Sequence, residues 1–545
     1  MVTPLLLLLA ACGGVFLAAC GGDGSIPADG PSDIPEMSAT ELLTRLSLDL
    51  RGVRPSVEEL QQVAADPGAV DVLLDEYLAD PRFGMRMADL WSEVYLTRAD
   101  AFYIEPSEYG IDDRPGFIDA VGNEPLRILA RIADEDLPWT ELVVGDWTMA
   151  DELLAAAWPL DYPAGSTGWQ VAHYTDGRPA AGILSTNGLW WRYTSTDSNA
   201  NRGRANQISR ILVCNDYLTH PIDFERNVDL LDEAAVLDAI TNNPGCVACH
   251  DSLDPVASYL YGFWTYVPDS FVDASRYHPE REQLWQSTTG VPPAWYGQPG
   301  NSLADLGRQI ANDPRLPECA VEQAFELLLR RDVTLADTDR LVEHRQAFLD
   351  GGLTVRSLVR SIVSDPLYRA GATDATGAVP RKLVTPDLLA DEVEALTGFR
   401  WTYGGYDMLG NDTVGVRTLA GGADGATVAA TATRPNATLV LVQERLAMAA
   451  AIHAVVTELD QAPSQRRLFT LVDFTETPDS DEATVAAQIQ RLHLAVLGKQ
   501  VAPDGEEVMA LMNLMHDLLE VEDSVPAAWA GVLSALLRDP DFVLY

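Results

Sequence analysis

Three segments of the chain share one order of elements: a helix, a turn, and two further helices that stop at an Asp-Pro pair. They lie at 38–83, 324–370 and 489–545, and an aromatic residue follows each of these prolines by two positions. A proline pushes the preceding residue out of the α region and so ends a helix, and the aromatic side chain can fold back onto the core of its unit. Shared ancestry and chance likeness of leucine-rich helices both account for the pattern. In either case the sequence predicts a mainly α, multi-domain fold.

Capping boxes mark the helix starts of the first unit. Ser38 is followed three residues later by Glu41, and Ser56 in the same way by Glu59. In a capping box, the hydroxyl and the carboxylate each accept a hydrogen bond from a free backbone N–H at the start of the helix. The third helix of this unit is predicted from apolar residues spaced along one helix face, namely Val70, Leu73, Leu74 and Tyr77.

Composition narrows the class of protein. The 545 residues correspond to about three or four domains. Hydrophobic residues make up 47% of the chain, which is enough to bury cores and excludes a wholly disordered protein. The formal net charge of −44 would repel phosphate backbones, so nucleic acid is not an expected partner. This acidity is typical of a solvated surface, with a cation-binding or docking role as the alternative.

The N-terminus has the pattern of an export signal. An apolar run ends in the string LAAC at 17–20, which resembles a bacterial lipoprotein box. A second copy of the string lies at 9–12 and ends at Cys12, but a flexible stretch follows Cys20 at once, so we favour Cys20 as the lipidated residue. Simple cleavage and an uncleaved anchor are the alternatives. Because several acyl chains hold a protein stably on a membrane, we expect an outer-membrane lipoprotein that faces the periplasm or the cell surface.

The motif Cys246-Val247-Ala248-Cys249-His250 has the C-x-x-C-H spacing of c-type haem attachment. Cysteines three residues apart lie on one helical turn, so both can add across the vinyl groups of a porphyrin. The imidazole of the next residue then reaches the iron as the proximal ligand. We therefore predict one covalent haem c. An exported chain suits this chemistry, because such haem is attached outside the bacterial cytoplasm.

Three other interpretations of Cys246 and Cys249 compete with haem. One is a disulfide between the two residues. A second is a redox dithiol, which is usually found in a βαβ setting, whereas 242–245 reads as a loop in a helical chain. The third is a zinc site, which requires four tetrahedral ligands, and no second ligand pair stands at a suitable spacing.

The sixth iron ligand is less defined. The sequence has no methionine between Met149 and Met408, so the common downstream methionine ligand is missing. His278 is the nearest downstream histidine and the distal candidate, although an ordinary exposed loop histidine is the competing interpretation. Met149, His173 and an open position are further alternatives. An open position would permit ligand binding or peroxide chemistry.

Two further cysteines, Cys214 and Cys319, remain in the mature chain, and an oxidising compartment favours a disulfide between them. Such a bond would close a loop around the whole haem segment.

The sequence contains no G-x-S-x-G, no H-E-x-x-H and no G-x-x-x-x-G-K-[ST], so hydrolase, zincin and NTPase interpretations lack support.

The haem motif continues to Leu253-Asp254-Pro255, and the whole run resembles the C-x-x-C-H-x-x-[ML]-D-P signature of planctomycete and myxobacterial cytochrome-c-like proteins of unknown function. Similar segments occur in the same order over most of 40–370, and the C-terminal part is more faintly similar to myxobacterial lipoproteins. The chain has Leu253 where methionine is frequent in these proteins, and it has Tyr261-Gly262-Phe263 where an acidic-aromatic run is more usual. The resemblance implies export and a c-type haem, but no reaction.

These observations predict a helical protein with a loop- and aromatic-rich haem module, in which residues such as Trp264 shield the haem. The expected function is single-electron transfer with a redox partner protein. A surface scaffold or glycan-binding protein with a vestigial motif and a haem oxidase or peroxidase are the alternatives. The predicted divisions are a signal peptide at 1–19, a tether at 20–37, a helical module at 38–135, an aromatic-rich linking module at 136–213, the haem module at 214–300, a helical module at 301–369, a linker at 370–382 and a C-terminal helical domain at 383–545.

Overall fold

The computed structural model describes residues 35–98, 105–196, 199–219, 229, 231–263, 276–371, 378–379, 381–412, 414–424, 428 and 430–545. Over these ranges the protein is built from many helices and three short two-stranded antiparallel sheets, so the prediction of a mainly α, multi-domain fold is confirmed. Cys12, Cys20 and Trp264, which carry the lipidation and haem-shielding predictions, lie outside the described residues.

The helices of the first half extend to the C-x-x-C-H segment. They are α1 Ala39–Arg51, α2 Val57–Ala65, α3 Ala69–Leu78, α4 Phe83–Tyr95, α5 Arg114–Asp134, α6 Glu141–Val144, α7 Glu152–Ala157, α8 Asn187–Arg192, α9 Arg202–Val213, α10 Glu233–Asn242 and α11 Pro244–Ala257.

The remaining helices follow the C-x-x-C-H segment. They are α12 Trp285–Thr288, α13 Leu303–Ala311, α14 Arg315–Leu329, α15 Thr338–Asp350, α16 Val355–Val363, α17 Pro386–Thr397, α18 Val416–Leu419, α19 Ala437–Leu459, α20 Glu482–Leu497, α21 Glu506–Glu522, α22 Val525–Leu537 and α23 Pro540–Val543.

Each sheet pairs two strands that are neighbours in sequence. The pairs are β1 Thr148–Ala150 with β2 Gln170–Ala172, β3 Ala294–Trp295 with β4 Gln298–Pro299, and β5 Thr402–Tyr403 with β6 Tyr406–Asp407. In the first pair Met149 lies opposite Val171.

The three predicted helical units are present as α1–α3, α14–α16 and α20–α22. Both predicted capping boxes form, with Ser38 and Ser56 as N-caps. The aromatic residues after the Asp-Pro pairs, Phe83, Tyr368 and Phe542, are buried as the sequence predicts. The apolar residues of α3 also lie in the core. Local sequence signals thus place the helix starts, the stops and the inward faces of these units.

One large apolar core contains residues between Leu42 and Tyr368, among them residues of α1–α5, α9, α11 and α13–α16, and it also takes in Leu494 of α20. A second core fills the C-terminal domain and takes in Leu48 of α1. A smaller cluster around Phe117 packs beside β1 and β2. The segments predicted as separate modules between 38 and 369 therefore share one core, and α11 is part of it.

The predicted linker at 370–382 has anchored ends, and its middle is only partly described. Ala370 pairs with Glu36 in an isolated bridge, and Lys382 is buried against Asp49 of α1. The C-terminal domain therefore packs directly on the first helical unit.

Helix α19 is long and apolar, and the side chain of Asn436 caps it. By length and composition it could cross a membrane, but 50% of its most apolar window is buried inside the protein. Because core helices pass the same test, this is weak evidence for a membrane span.

Candidate functional site

The C-x-x-C-H segment opens α11. The side chain of Asn243 accepts a hydrogen bond from the backbone N–H of Gly245 and caps the helix, and Pro244 occupies its first turn. Pro is favoured there because its fixed φ suits a helix and its missing N–H would have no partner. The segment predicted as a loop at 242–245 therefore belongs to the two helices except for Asn243, which separates α10 from α11, so the prediction of a loop was wrong.

Helical spacing brings the three motif residues to one side of α11. Cys246, Cys249 and His250 stand at positions i, i+3 and i+4, which are neighbours on a helix surface. Cys246 and Cys249 are free thiols, each half-buried, so the structure does not contain the alternative disulfide between them. Cys249 also packs against the large core.

A carboxylate fixes the imidazole of His250. Its Nδ1 lies 2.9 Å from Oδ1 of Asp254, one turn further along α11. The His250 side chain is 24% exposed and that of Asp254 only 8%. Because an ionised carboxylate can only accept, the proton of a neutral ring sits on Nδ1, and Nε2 keeps its lone pair. Nε2 is therefore the nitrogen that can ligate a metal.

Asp254 is held in turn by Arg202 of α9. Nε of Arg202 donates to Oδ1 of Asp254 at 2.7 Å, and a terminal nitrogen donates to Oδ2 at 3.0 Å. Burial alone would raise the pKa of Asp254, but the hydrogen bonds from His250 and Arg202 outweigh it and hold that pKa below its ordinary value. The carboxylate thus stays ionised between two donors.

Hydroxyl groups and aromatic rings surround the rest of α11. The hydroxyls of Tyr217 and Ser252 lie 2.7 Å apart, and that of Tyr217 also donates to Tyr296 at 3.2 Å. Beyond the helix, the rings of Phe263 and Tyr277 meet edge to face at 4.9 Å. This end of α11 is therefore held in an aromatic environment, as the composition of the segment predicts.

The residues at 261–263 are closely packed. All three residues are buried, and a Cβ on Gly262 would come within 2.2 Å of the Tyr277 ring. Only glycine permits this close approach.

His278 is buried, not exposed. Only 7% of the residue is accessible, its backbone N–H donates to the carbonyl of Gly262 at 2.9 Å, and its Nδ1 lies 2.9 Å from Glu280. The interpretation of His278 as an exposed loop histidine was therefore wrong, because tertiary packing against the 258–263 turn covers it.

The other distal candidates, Met149 and His173, lie in or beside one small sheet. Met149 is on β1, and His173 follows β2 with its side chain 49% exposed and Nδ1 3.0 Å from Asp161. Among the described residues, no three His, Cys, Asp or Glu side chains are grouped to hold a bare metal ion.

Cys214 and Cys319 form a disulfide with a sequence separation of 105 residues, the pairing that the sequence analysis favours. The bond joins the C-cap of α9 to α14. Because α9 also carries Arg202, the disulfide and the site share one supporting helix.

Sequence reasoning missed the roles of Asp254 and Arg202. A signal for Asp254 was available, because an acidic residue four positions after a histidine on a helix faces it. No local signal marks Arg202, which is 52 residues from its partner.

Comparison with known proteins adds one result. Residues 26–111 match the sequence model of the family PSCyt2, described as a protein of unknown function (DUF1549). The match covers α1–α4 and supports the N-terminal part of the resemblance, and α11 lies outside it. The chain has no significant match among curated proteins or solved structures.

Proposed function

We propose that the protein is an exported, lipid-anchored c-type haem protein that transfers single electrons at the periplasm or the cell surface. One observation carries the proposal: two free thiols and a histidine share one side of α11, and the Nδ1 of that histidine is already engaged. This donor set fits haem c, which needs two thioether bonds and one imidazole nitrogen from the protein.

Cys246 and Cys249 would hold the porphyrin, and His250 would ligate the iron through Nε2. A bound haem supplies one-electron reduction and oxidation. The chain's own residues set the conditions for that chemistry: Asp254 orients the imidazole, and Arg202 orients Asp254. His278 would be the second protein ligand of the iron, because it is the nearest downstream histidine and packs on the turn that continues α11.

The electron-transfer partner is proposed to present a basic surface. The chain carries 81 acidic and 37 basic residues, and complementary charge raises the encounter rate of two proteins. Lipidation at Cys20 would confine the protein to a membrane surface, with the following residues as a tether. Both features suit a carrier that exchanges electrons with a larger complex.

The test is production of the full chain in a strain with cytochrome c maturation machinery. We expect a pyridine haemochrome spectrum of haem c and an intact mass that includes one covalent haem. A Cys246→Ser/Cys249→Ser variant should lose both signals, whereas a Cys214→Ser/Cys319→Ser variant should keep them. Wild-type protein with only the mass of the polypeptide plus lipid would refute the proposal.

A haem oxidase or peroxidase is the second candidate. The observation that favours it is the carboxylate on the proximal histidine, since a more basic ligand donates more electron density to iron. Addition of carbon monoxide to the reduced protein separates the two functions. A shifted Soret band would indicate an open coordination position and favour catalysis, and an unchanged band would favour electron transfer.

A further inference from the structure

The carboxylate of Asp254 lies between the imidazole of His250, the candidate iron ligand, and the guanidinium of Arg202. One of its oxygens accepts from both His250 and Arg202, and the other accepts from Arg202 alone. The Asp254 side chain is 8% exposed and that of Arg202 18%. Charges at such buried positions are weakly screened, so a change in either one is felt strongly at its neighbours.

A histidine that donates from one ring nitrogen to a carboxylate is a stronger ligand through the other nitrogen. The carboxylate fixes the tautomer and the orientation of the ring and draws the proton away from it, which makes the ligand more basic. A more basic ligand, with a negative charge behind it, stabilises ferric over ferrous iron and so lowers the reduction potential.

Arg202 limits this effect. Its guanidinium takes both oxygens of Asp254 in a bidentate pair, which fixes the carboxylate plane and neutralises part of its charge. The helix that carries Arg202 is itself fixed, because a side-chain amide of Gln323 donates to the carbonyl of Ile211 at 2.8 Å. The distance between Arg202 and Asp254 is therefore set by the packing of α9 and not by a mobile loop.

We propose that Asp254 is a positioning residue that orients His250 and lowers the reduction potential of the haem iron, and that Arg202 raises this potential by sharing the charge of Asp254. This inference rests on the proposed function. According to this inference, two residues outside the C-x-x-C-H motif, Asp254 and Arg202, control the potential at which the protein accepts an electron.

The test is spectroelectrochemical titration of the full-length holoprotein at neutral pH. In Asp254→Asn, we expect the ratio of reduced to oxidised protein at a fixed applied potential to rise at least tenfold, a shift of 59 mV upward for one electron. In Arg202→Gln, we expect this ratio to fall. A structural role alone would not move the two variants in opposite directions.

Asp251→Asn is the matched control. Asp251 lies on the same helix, next to His250, but its side chain is exposed, so removal of its charge should change the ratio by less than about threefold. An Asp254→Asn shift no larger than that of Asp251→Asn, or a shift of Arg202→Gln in the same direction as Asp254→Asn, would overturn the inference.

Different results would refute the proposed function and this inference. Wild-type protein without covalent haem removes the proposed function and this inference together. Wild-type protein with haem and an unchanged potential in Asp254→Asn removes the inference alone. If Asp254→Asn does not fold, Arg202→Gln still decides, because a downward shift there supports the inference and an unchanged or upward shift refutes it.

Discussion

The replacement Lys382→Met tests how the C-terminal domain is held on the rest of the protein. The ammonium group of Lys382 pairs with Asp49 of α1 and donates to the carbonyl of Leu328 at 3.1 Å, and the side chains of Lys382 and Asp49 are each 1% exposed. Lys382 directly precedes the C-terminal domain, Asp49 lies in the first helical unit and Leu328 in the second. The pair therefore lies where three parts of the chain meet.

The expected loss follows from the charge that remains. Without Lys382, the Asp49 carboxylate keeps two hydroxyl donors, Tyr368 at 2.6 Å and Tyr545 at 2.8 Å, but it loses its cation. Removal of one partner of a buried ion pair costs about 3–5 kcal/mol of the free energy of unfolding. Because two donors remain and methionine fills most of the space, we expect a loss of about 3 kcal/mol.

The assay is urea unfolding followed by circular dichroism and tryptophan fluorescence, with a double-mutant cycle. Asp49→Asn/Lys382→Met should recover most of the loss, since it removes both charges of the pair. The matched control is Lys499→Met, which breaks the exposed pair with Asp541 and should cost at most about 1 kcal/mol. A loss from Lys382→Met no larger than that of the control, or fully additive losses in the double variant, would refute the reasoning.

Three further predictions follow from local features. A Cys214→Ala/Cys319→Ala variant should lose about 2–4 kcal/mol in the free energy of unfolding, measured by chemical denaturation, because the bond closes a loop of ~100 residues; a loss under about 1 kcal/mol would contradict this. Burial raises the pKa of Glu392 from 4.5 to about 7 despite its ion pair with Arg54, so the folded protein holds a proton that the unfolded chain releases. Relative to Glu392→Gln, the wild type should therefore lose stability as the pH rises from about 4.5 to 7. Parallel pH profiles of stability for the two proteins would refute this prediction. Ser56→Ala should lower the free energy of unfolding by about 1 kcal/mol, and an unchanged melting temperature would count against the cap.

The features that could be predicted from the sequence are those with local causes. Ser38 and Ser56 cap helices because a short polar side chain can reach the first free N–H groups of its own helix. At each Asp-Pro pair, the proline restricts the backbone of the residue before it and so ends the helix. The aromatic residue two positions later stays close to its own unit and packs onto the core of that unit. For the same reason the spacing of Cys246, Cys249 and His250 fixes their common side on α11 without knowledge of the tertiary fold.

The features that could not be predicted depend on distant partners. Lys382 and Asp49 are 333 residues apart, and nothing near Lys382 distinguishes it from a surface lysine beside a linker. His278 is covered by a turn whose direction depends on Tyr277 and Gly262. Periodicity says which face of an element is apolar, but it does not say which other element covers that face.

Helix α9 takes part in both the disulfide and the candidate site, but the disulfide is not what holds the site in place. Its C-cap residue, Cys214, is bonded to α14, and its first residue, Arg202, holds Asp254. Buried side chains along α9 and the hydrogen bond from Gln323 to Ile211 already fix the helix in the folded state. The disulfide therefore stabilises mainly by restricting the unfolded chain. It follows that loss of the disulfide should lower the stability of the protein while the Arg202–Asp254–His250 geometry, and the reduction potential that depends on it, stay unchanged.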